Sequence, residues 1–311
     1  MPIDTVPLFI VGAARSGTSY LHRLMNRHPG IRMTYESRLP TEGFQVYKAL
    51  KQPLSKADIH SFLDKIALME KEEDQNHWLC RTIASNRHIL IGRHQTHGSF
   101  PQLVQDMCEL ACAAPLKGFG NKMLKAELCP EILALWPHAR FILLMRDPRA
   151  VVASQIRRFK GRRLAYAAFY CDTHARFARQ LARDRQRFLT VTYEAFVRKP
   201  ETQLKRILSF AGLHDPFIES VMLQKSPPHA TSVDKWRYHL SRDQIRRIEE
   251  ICFDSMKDAG YTPEIAVSQK PINAIEKTFE LVYEKREAFL YHPETWRRKN
   301  IVRRFIRILR Q

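Results

Sequence analysis

Short apolar runs, each closed by a glycine or a polar turn, recur along the chain. They cover 7–11, 139–145 and 188–193, and the first of them ends at Gly12. A continuous apolar run of this length is typical of a strand that is buried on both faces. A weaker run over 116–119 predicts one further strand.

Apolar residues at helical spacing fill the stretches between these runs. Leu21, Leu24 and Met25 lie three and four residues apart and predict an amphipathic helix that ends before His28-Pro29-Gly30. Other helices are predicted over 57–72, 102–111, 131–136, 165–187 and 201–211. Because strands alternate with helices, the sequence predicts right-handed crossovers and an α/β fold with a central parallel sheet flanked by helices.

The charge of the chain restricts its partners. Its 51 Lys and Arg residues against 32 Asp and Glu give a formal charge of +19, which favours a polyanionic partner. Nucleic acid, acidic lipid, a multiply phosphorylated nucleotide and an anionic polysaccharide all satisfy that condition. Hydrophobic residues make up 44% of the chain, enough for a sizeable core, so a disordered binding segment is excluded.

The six cysteines are scattered, with neither a C-x-x-C pair nor metal-ligand spacing, which favours a reducing compartment. The first residues form no basic leader, and no apolar run reaches the ~20 residues that span a bilayer. We therefore expect a cytoplasmic protein.

The composition changes near Pro271, where a charged and predominantly helical tail begins. We expect a main domain over 1–270 and a basic helical extension over 271–311. At 296–311, basic and apolar residues interleave at helical spacing without an acidic residue. Two interpretations remain: a helix docked on its own domain, or an amphipathic helix in peripheral contact with an anionic membrane or a partner.

The turn after the first run, residues 12–19 (GAARSGTS), nearly matches the phosphate-binding pattern G-x-x-x-x-G-K-[ST]. A loop between a strand and a helix directs backbone N–H groups and the positive end of the helix dipole at a phosphate. Thr18 stands where the pattern has lysine, and Arg15 supplies the cation instead. This departure argues against an ATP or GTP enzyme that uses Mg²⁺, and for a ligand with a phosphate and a second anionic group. We therefore expect the α/β fold to be a P-loop-like three-layer fold.

The loop, followed by two helical turns and His28-Pro29, resembles the 5′-phosphosulfate loop of sulfotransferases that use 3′-phosphoadenosine-5′-phosphosulfate (PAPS). It is similar to the bacterial, carbohydrate and protein-tyrosine branches, since the cytosolic aryl branch has lysine where Arg15 stands. The resemblance implies that the loop residues bind this cofactor. These are Arg15, Ser16, Gly17, Thr18 and Ser19.

A second motif, R-D-P-R over 146–149, follows the second run. Asp147 and Pro148 suit the cap and the first position of a helix, and Ser154 lies two turns into that helix. Arg146, at the carboxyl end of a strand, faces the crevice in which α/β sheets bind ligands. Arg146 with Ser154 resembles the 3′-phosphate site of the same family, and the two motifs together are more specific than either alone.

Two further residues enter through the resemblance. Tyr193, which ends the third run, resembles a tyrosine that lies near the nucleotide, with plain packing at a strand end as the alternative. Lys122 resembles a lysine that the family places beside the transferring sulfuryl group, with Lys125 as the alternative.

The catalytic base is expected at Glu36, where a second strand or a loop returns beside the phosphate loop. Its spacing from Arg15 resembles that of the catalytic glutamate in protein-tyrosine sulfotransferases. A salt bridge that orients Arg15 is the alternative role for Glu36. The aryl branch uses a histidine, and His94 and His97 are the clustered candidates for it.

The resemblance thus implies a PAPS-dependent sulfotransferase that modifies an acceptor hydroxyl and releases 3′,5′-adenosine bisphosphate. Its catalytic residues would be Glu36, Arg15 and Lys122. The acceptor is expected to be a carbohydrate, a glycolipid or another small molecule, and neither a metal nor nucleic acid is expected. One alternative is a P-loop-type nucleotide-dependent kinase. That class of enzyme requires a lysine in the phosphate loop, and this sequence has Thr18 at that position. The other is a nonenzymatic binder of nucleic acid or acidic lipid, which leaves the two ordered phosphate motifs unexplained.

Overall fold

The structure is a computed structural model that describes residues 5–71, 74–228, 233–266, 268–276, 278–280 and 282–283, without the side chain of His97. The chain forms two compact units. The first contains 1–146 and 177–230, and the second contains 147–176 and 231–311.

Within the described residues, the first unit contains a sheet of five parallel strands in the order β2-β3-β1-β4-β5. The strands are β1 Val6–Val11, β2 Ile31–Tyr35, β3 Gly118–Met123, β4 Arg140–Met145 and β5 Phe188–Thr192. The three apolar runs are therefore strands, as predicted. The strand β3 runs from Gly118 to Met123, so the predicted 116–119 begins two residues too early and ends four residues too early. Its end was not predicted because Asn121 and Lys122 are polar, although both are buried.

Helices follow or precede most of these strands. They are α1 Thr18–Met25, α2 Phe44–Lys48, α3 Lys56–Glu70, α4 His77–His97, α5 Phe100–Glu109, α6 Cys129–Leu135, α7 Pro148–Arg158, α8 Leu164–Leu181, α9 Tyr193–Arg198, α10 Pro200–Ala211, α11 Pro216–Lys225 and α12 Arg242–Asp258. The sequence predicts α1, α3, α5, α6, α7, α8 and α10, and it does not predict α2, α9, α11, α12 or the long helix α4. Its apolar positions are interrupted by Arg and His, and the helix gains its stability by packing against α3 and α5.

Helices cover both faces of the sheet. Alternate residues of a strand point to opposite faces, so each face of β1 packs in a core of its own. Phe9 and Val11 pack in a core with residues of α3, α4 and α5. Leu8 and Ile10 pack in a second core with residues of α1 and α10. The prediction of an α/β, P-loop-like three-layer fold with a central parallel sheet flanked by helices is confirmed.

The second unit begins with a capped helix. The carboxylate of Asp147 accepts a hydrogen bond from the N–H of Arg149 at 2.9 Å, so Asp147 is the N-cap of α7 and Pro148 its first residue, as predicted. The Arg149 guanidinium is buried, pairs with Asp147 and Glu249, and lies 4.3 Å from the ring centre of Trp236. These contacts fix the start of the helix that carries Ser154.

The predicted amphipathic segment over 296–311 lies outside the described residues, so its two interpretations and the boundary at 270 stay predictions. In the part of the chain that the structure describes, no helix is long and apolar enough to cross a membrane.

Candidate active site

The phosphate loop or a residue that was predicted to be functional lies at the carboxyl end of each strand, either directly after the strand or one residue before its end. Since the strands are parallel, their carboxyl ends meet at one edge, where sheets of this class bind ligands. The loop 12–17 follows β1, and Lys122 lies in β3 opposite both Ile10 of β1 and Tyr35 of β2. The register therefore places the phosphate loop, Lys122 and the chain just before Glu36 side by side.

The phosphate loop ends at Gly17, which has a φ of 101° and caps α1. The carbonyl oxygen of Gly17 accepts the N–H groups of Tyr20 at 3.0 Å and Leu21 at 3.1 Å, so the helix starts directly at the loop. The first N–H groups of a helix have no partner within it and carry the positive end of the dipole. Ser16 stabilises the turn, since its hydroxyl donates to the carbonyl oxygen of Ala13 at 2.7 Å.

Tyr193 and Arg146 close the loop from the side of β4 and β5. A Cβ on Gly17 would lie 2.5 Å from the Cδ2 atom of Tyr193, so the ring packs directly on the loop backbone. The guanidinium of Arg146 lies 4.5 Å from the centre of the Tyr193 ring and donates a hydrogen bond to the carbonyl oxygen of Arg15 at 3.0 Å. One tyrosine and one arginine thus hold the backbone of the loop.

Glu36 and Lys122 form an ion pair at the other side of the loop. The ammonium of Lys122 donates to Oε1 of Glu36, and the Lys122 side chain is 2% exposed against 33% for Glu36. The pair is thus accessible to solvent only through its carboxylate. The N–H of Glu36 also bonds to the carbonyl oxygen of Lys122 at 2.8 Å, which continues the β2–β3 ladder by one residue.

Tyr35 connects this ion pair to the phosphate loop. Its hydroxyl lies 2.8 Å from Oγ of Ser19, and the ammonium of Lys122 lies 4.3 Å from the centre of its ring. The ring of His22 packs edge-on against it, with 5.3 Å between the centroids. Burial of His22 lowers its pKa to about 4, so the imidazole beneath Tyr35 is neutral near pH 7.

The family model that matches this chain is described as the sulfotransferase family, and it covers residues 7–217, more than half of the chain. The chain belongs to the sulfotransferase family. The predicted enzyme class is thereby confirmed. The matched range includes the phosphate loop, Glu36, Lys122, Arg146 and Tyr193.

Individual relatives are distant. Carbohydrate sulfotransferase 5 of Homo sapiens is 22% identical over 86% of this chain and 80% of the relative. Protein-tyrosine sulfotransferase 2 of Gallus gallus is 24% identical over 82% of this chain and 69% of the relative. The sulfotransferase domain from the curacin biosynthetic pathway superimposes with a TM-score of 0.53 at 16% identity, over 83% of this chain and 98% of that domain. At that identity the structural likeness shows the fold alone.

Within this sulfotransferase, the alternatives for the base and the lysine lie in different surroundings. Lys125 is exposed, whereas Lys122 is buried against Glu36. His94 is buried in α4, where its Nε2 lies 3.2 Å from the hydroxyl of Tyr47, and burial lowers its pKa. The contacts described for His94 are with Tyr47, not with the phosphate loop. The side chain of His97 lies outside the described part of the chain.

Ser154 lies in α7, in the second unit, while the phosphate loop, Glu36, Lys122, Arg146 and Tyr193 lie in the first. Its expected role at the 3′-phosphate stays a prediction. Among the residues that the structure describes, no group of three or more His, Cys, Asp or Glu side chains is arranged to hold a metal ion.

Four polar residues around Glu36 were not predicted from the sequence. Tyr35 and Asn121 are direct neighbours of Glu36 and Lys122, so adjacency was the available signal. Glu70 and Asn76 contact the same stretch from the helical segment that follows, and no local pattern marks them. Their importance depends on long-range contacts.

Proposed function

We propose that the chain transfers the sulfuryl group of PAPS to an acceptor hydroxyl and releases 3′,5′-adenosine bisphosphate. The observation that carries the proposal is the Glu36–Lys122 ion pair beside the phosphate loop. A group transfer of this kind needs a base at the acceptor and cations at the leaving phosphate, and Glu36 and Lys122 would supply the base and one of the cations.

The loop fits a phosphosulfate. The absence of a Cβ at Gly17 lets the Tyr193 ring pack on the loop, and the loop leads directly into the start of α1, where a helix favours an anion. Arg15 has a left-handed backbone with a φ of 76°, and its side chain is exposed. Arg15, Ser16, Gly17, Thr18 and Ser19 would hold the 5′-phosphosulfate. Arg146, with Ser154 by the sequence motif and Tyr193 by its ring, would hold the nucleotide.

PAPS would supply the sulfuryl group, and the 3′,5′-adenosine bisphosphate would leave with the electron pair of the broken S–O bond. Glu36 would accept the proton of the acceptor hydroxyl as the acceptor oxygen forms its bond to sulfur. Lys122 and Arg15 would stabilise the negative charge that develops on the bridging oxygen. The contact between Lys122 and Glu36 holds the base and the cation at adjacent points of this reaction path.

The acceptor is proposed to be a hydroxyl of a carbohydrate, a glycolipid or another small molecule. The relatives support an acceptor that carries a hydroxyl, since one is a carbohydrate sulfotransferase and another a protein-tyrosine sulfotransferase. A sugar hydroxyl and a phenol both need a base, which agrees with the partial exposure of the Glu36 carboxylate.

The first test is a calorimetric titration of the purified chain with 3′,5′-adenosine bisphosphate, with ATP–Mg²⁺ as comparator. We expect bisphosphate binding that is independent of Mg²⁺ and at least about tenfold weaker in Arg15→Ala and Arg146→Ala, because each removes a charged contact. Arg23→Ala is the matched control, since Arg23 is an exposed arginine on α1. A preference for ATP–Mg²⁺ would instead support the kinase alternative.

The second test measures transfer from ³⁵S-labelled PAPS to a panel of acceptors: N-acetylglucosamine oligosaccharides, a galactolipid, a tyrosine peptide and p-nitrophenol. Removal of a general base costs about 10²–10⁴ in rate, so Glu36→Gln should lose at least about a hundredfold in kcat. Lys122→Ala should lose activity similarly, whereas Lys125→Ala, three residues away, should not. Equal rates for wild type and Glu36→Gln would remove Glu36 from the mechanism.

A further inference from the structure

The backbone of Glu36 is left-handed, with a φ of 46°. Among the residues that the structure describes, Arg15 is the other non-glycine residue with a positive φ, at 76°. L-residues avoid this conformation because of a clash between Cβ and the backbone, and it persists only where surrounding contacts determine it. The contacts that hold Glu36 in this conformation lie on both sides of it.

On the amino-terminal side, Asn76 binds the backbone of Tyr35. Its Oδ1 accepts the N–H of Tyr35 at 2.8 Å, and its Nδ2 donates to the carbonyl oxygen of Tyr35 at 3.0 Å. Tyr35 lies on β2, the edge strand of the sheet, so the amide of Asn76 occupies the place of a neighbouring strand. Asn76 is fully buried, which favours a single geometry for this pair.

On the carboxyl-terminal side, Asn121 binds the backbone of Ser37. Its Oδ1 accepts the N–H of Ser37 at 3.2 Å, and its Nδ2 donates to the carbonyl oxygen of Ser37 at 3.0 Å. Asn121 is the chain neighbour of Lys122, so the same strand holds the cation and one end of the Glu36 stretch. The buried side-chain amides of Asn76 and Asn121 therefore bind the backbone of the residues directly before and after Glu36.

Glu70 joins the two sides. Its Oε1 accepts the hydroxyl of Ser37 at 2.9 Å and the N–H of Arg38 at 3.1 Å, and its Oε2 accepts Nδ2 of Asn76 at 2.6 Å. The residue is 1% exposed, and burial raises the pKa of its carboxyl group. Burial of a carboxyl group is unfavourable unless its oxygens are hydrogen-bonded, and here both oxygens are.

We propose that Glu70 and Asn76 are positioning residues that hold the Glu36 carboxylate at Lys122 by fixing the backbone of Tyr35 and Ser37. The inference rests on the proposed function, because it takes Glu36 as the base. It assigns a role in the reaction to the end of α3 and to the short 3₁₀ turn Asp74–Asn76. Neither residue touches the ion pair itself in the contacts described.

The test is a double-mutant cycle on kcat, measured with ³⁵S-labelled PAPS and the fastest acceptor of the panel named above. We expect Asn76→Ala and Glu70→Ala to lower kcat about ten- to a hundredfold, while the calorimetric Kd for 3′,5′-adenosine bisphosphate changes less than about threefold. In the Glu36→Gln background the same substitutions should change kcat less than about twofold, because the group that they position is gone. Asn86→Ala, an asparagine of α4 that bonds to Thr82, is the matched control and should retain wild-type kcat.

Two milder variants keep the proposal testable if the alanine variants do not fold. Ser37→Ala removes one hydrogen bond to Glu70, and Glu70→Gln keeps the size and one acceptor oxygen. Both should lower kcat by a smaller factor than Glu70→Ala, again without effect in the Glu36→Gln background. Equal losses of kcat in the wild-type and Glu36→Gln backgrounds would show a role in general stability only and overturn the inference.

Failure of the proposed function is distinguishable from failure of this inference. If the function is wrong, the wild-type chain itself shows no transfer to the panel and no bisphosphate binding. If the inference alone is wrong, the wild-type chain transfers sulfuryl groups, Glu36→Gln is impaired and Asn76→Ala retains its kcat.

Discussion

The guanidinium of Arg146 lies 4.5 Å from the centre of the Tyr193 ring, so the residue that follows β4 contacts the residue that follows β5. The same ring packs on Gly17, and Arg146 also binds the carbonyl oxygen of Arg15. The loop is therefore held through its backbone by residues from two neighbouring strands.

Tyr193→Ala should weaken the binding of 3′,5′-adenosine bisphosphate about three- to thirtyfold. Removal of the ring takes away the surface on which Arg146 lies, and a cation–π contact of this kind contributes about 0.5–2 kcal/mol. Tyr193→Phe keeps the ring and should bind within about threefold of wild type. Calorimetry measures both. If the alanine variant binds as wild type does, the ring contact has no part in holding Arg146.

Gly17→Ala should lower both stability and nucleotide binding. The added Cβ meets the Tyr193 ring at 2.5 Å, and the φ of 101° is unfavourable for alanine. Strain and overpacking together should cost about 2–4 kcal/mol, and the bisphosphate affinity should fall more than about tenfold.

The control for this variant is Gly98→Ala. Gly98 has a φ of 65°, but nothing lies within 4 Å of a Cβ built there. It should lose only the conformational contribution of about 1 kcal/mol and bind the bisphosphate normally. Equal losses of stability in the two variants would contradict the packing of Tyr193 on Gly17. Urea unfolding measures the free energy of unfolding of both variants.

Gly120→Ala should prevent folding or destabilise the chain by more than about 3 kcal/mol, because the backbone of the neighbouring strand β1 would have to move. A Cβ at this position of β3 would lie 1.8 Å from the carbonyl oxygen of Leu8, which is backbone of the central strand β1. In Gly118→Ala, on the same strand, the atom nearest to the added Cβ would be Cδ1 of Leu213 at 3.2 Å, a side-chain atom, and the next two lie at ordinary contact distances of 3.5 and 3.6 Å, so this variant should cost less than about 1 kcal/mol. Circular dichroism and urea unfolding separate the two cases.

The chain should lose stability as the pH falls from about 6.5 towards 4, and His22 should contribute to the loss. Burial lowers the pKa of His22 to about 4 from 6.5, so in this window the unfolded state binds a proton that the folded state does not. His22 therefore costs no stability above its unfolded pKa of 6.5. The loss begins as the pH falls below that value and grows until the pH has fallen through the folded pKa of about 4. The loss from His22 should reach about 2 kcal/mol at pH 5.

His22→Gln tests this assignment, because glutamine does not titrate. The difference in unfolding free energy between pH 7.5 and pH 5 should be smaller in the variant than in the wild type by about that amount. His174, whose pKa burial also lowers to about 4, should account for part of the remaining pH dependence. An unchanged pH dependence in His22→Gln would contradict the buried neutral imidazole.

Much of the fold was predictable because its signals are local. The buried strands β1, β4 and β5 are continuous apolar runs, and the cap at Asp147 needs only residues adjacent in the chain. The helix α4 was missed since Arg and His interrupt its apolar positions, and its stability comes from packing against α3 and α5 rather than from a pattern within its own sequence. The strand β3 was too short in the prediction because its polar residues are buried for their contacts rather than for their hydrophobicity.

The candidate site divides in the same way. The loop 12–19, Arg146, Tyr193, Lys122 and Glu36 could be named from motifs and a family resemblance. The family is confirmed by comparison, while the roles of these residues stay predictions. Glu70 and Asn76 could not be named, since their significance depends on the backbone groups that they reach.

By itself, the sequence determined the α/β class, the phosphate loop and the family, because periodicity and loop motifs are properties of consecutive residues. Only the tertiary structure decided which strands are neighbours, and therefore that Lys122 meets Glu36 and that Tyr193 packs on Gly17. It also decided that buried amides hold the left-handed backbone at Glu36. The physical reason is that burial and hydrogen-bond partners are properties of three-dimensional contacts, which the order of residues along a chain does not specify.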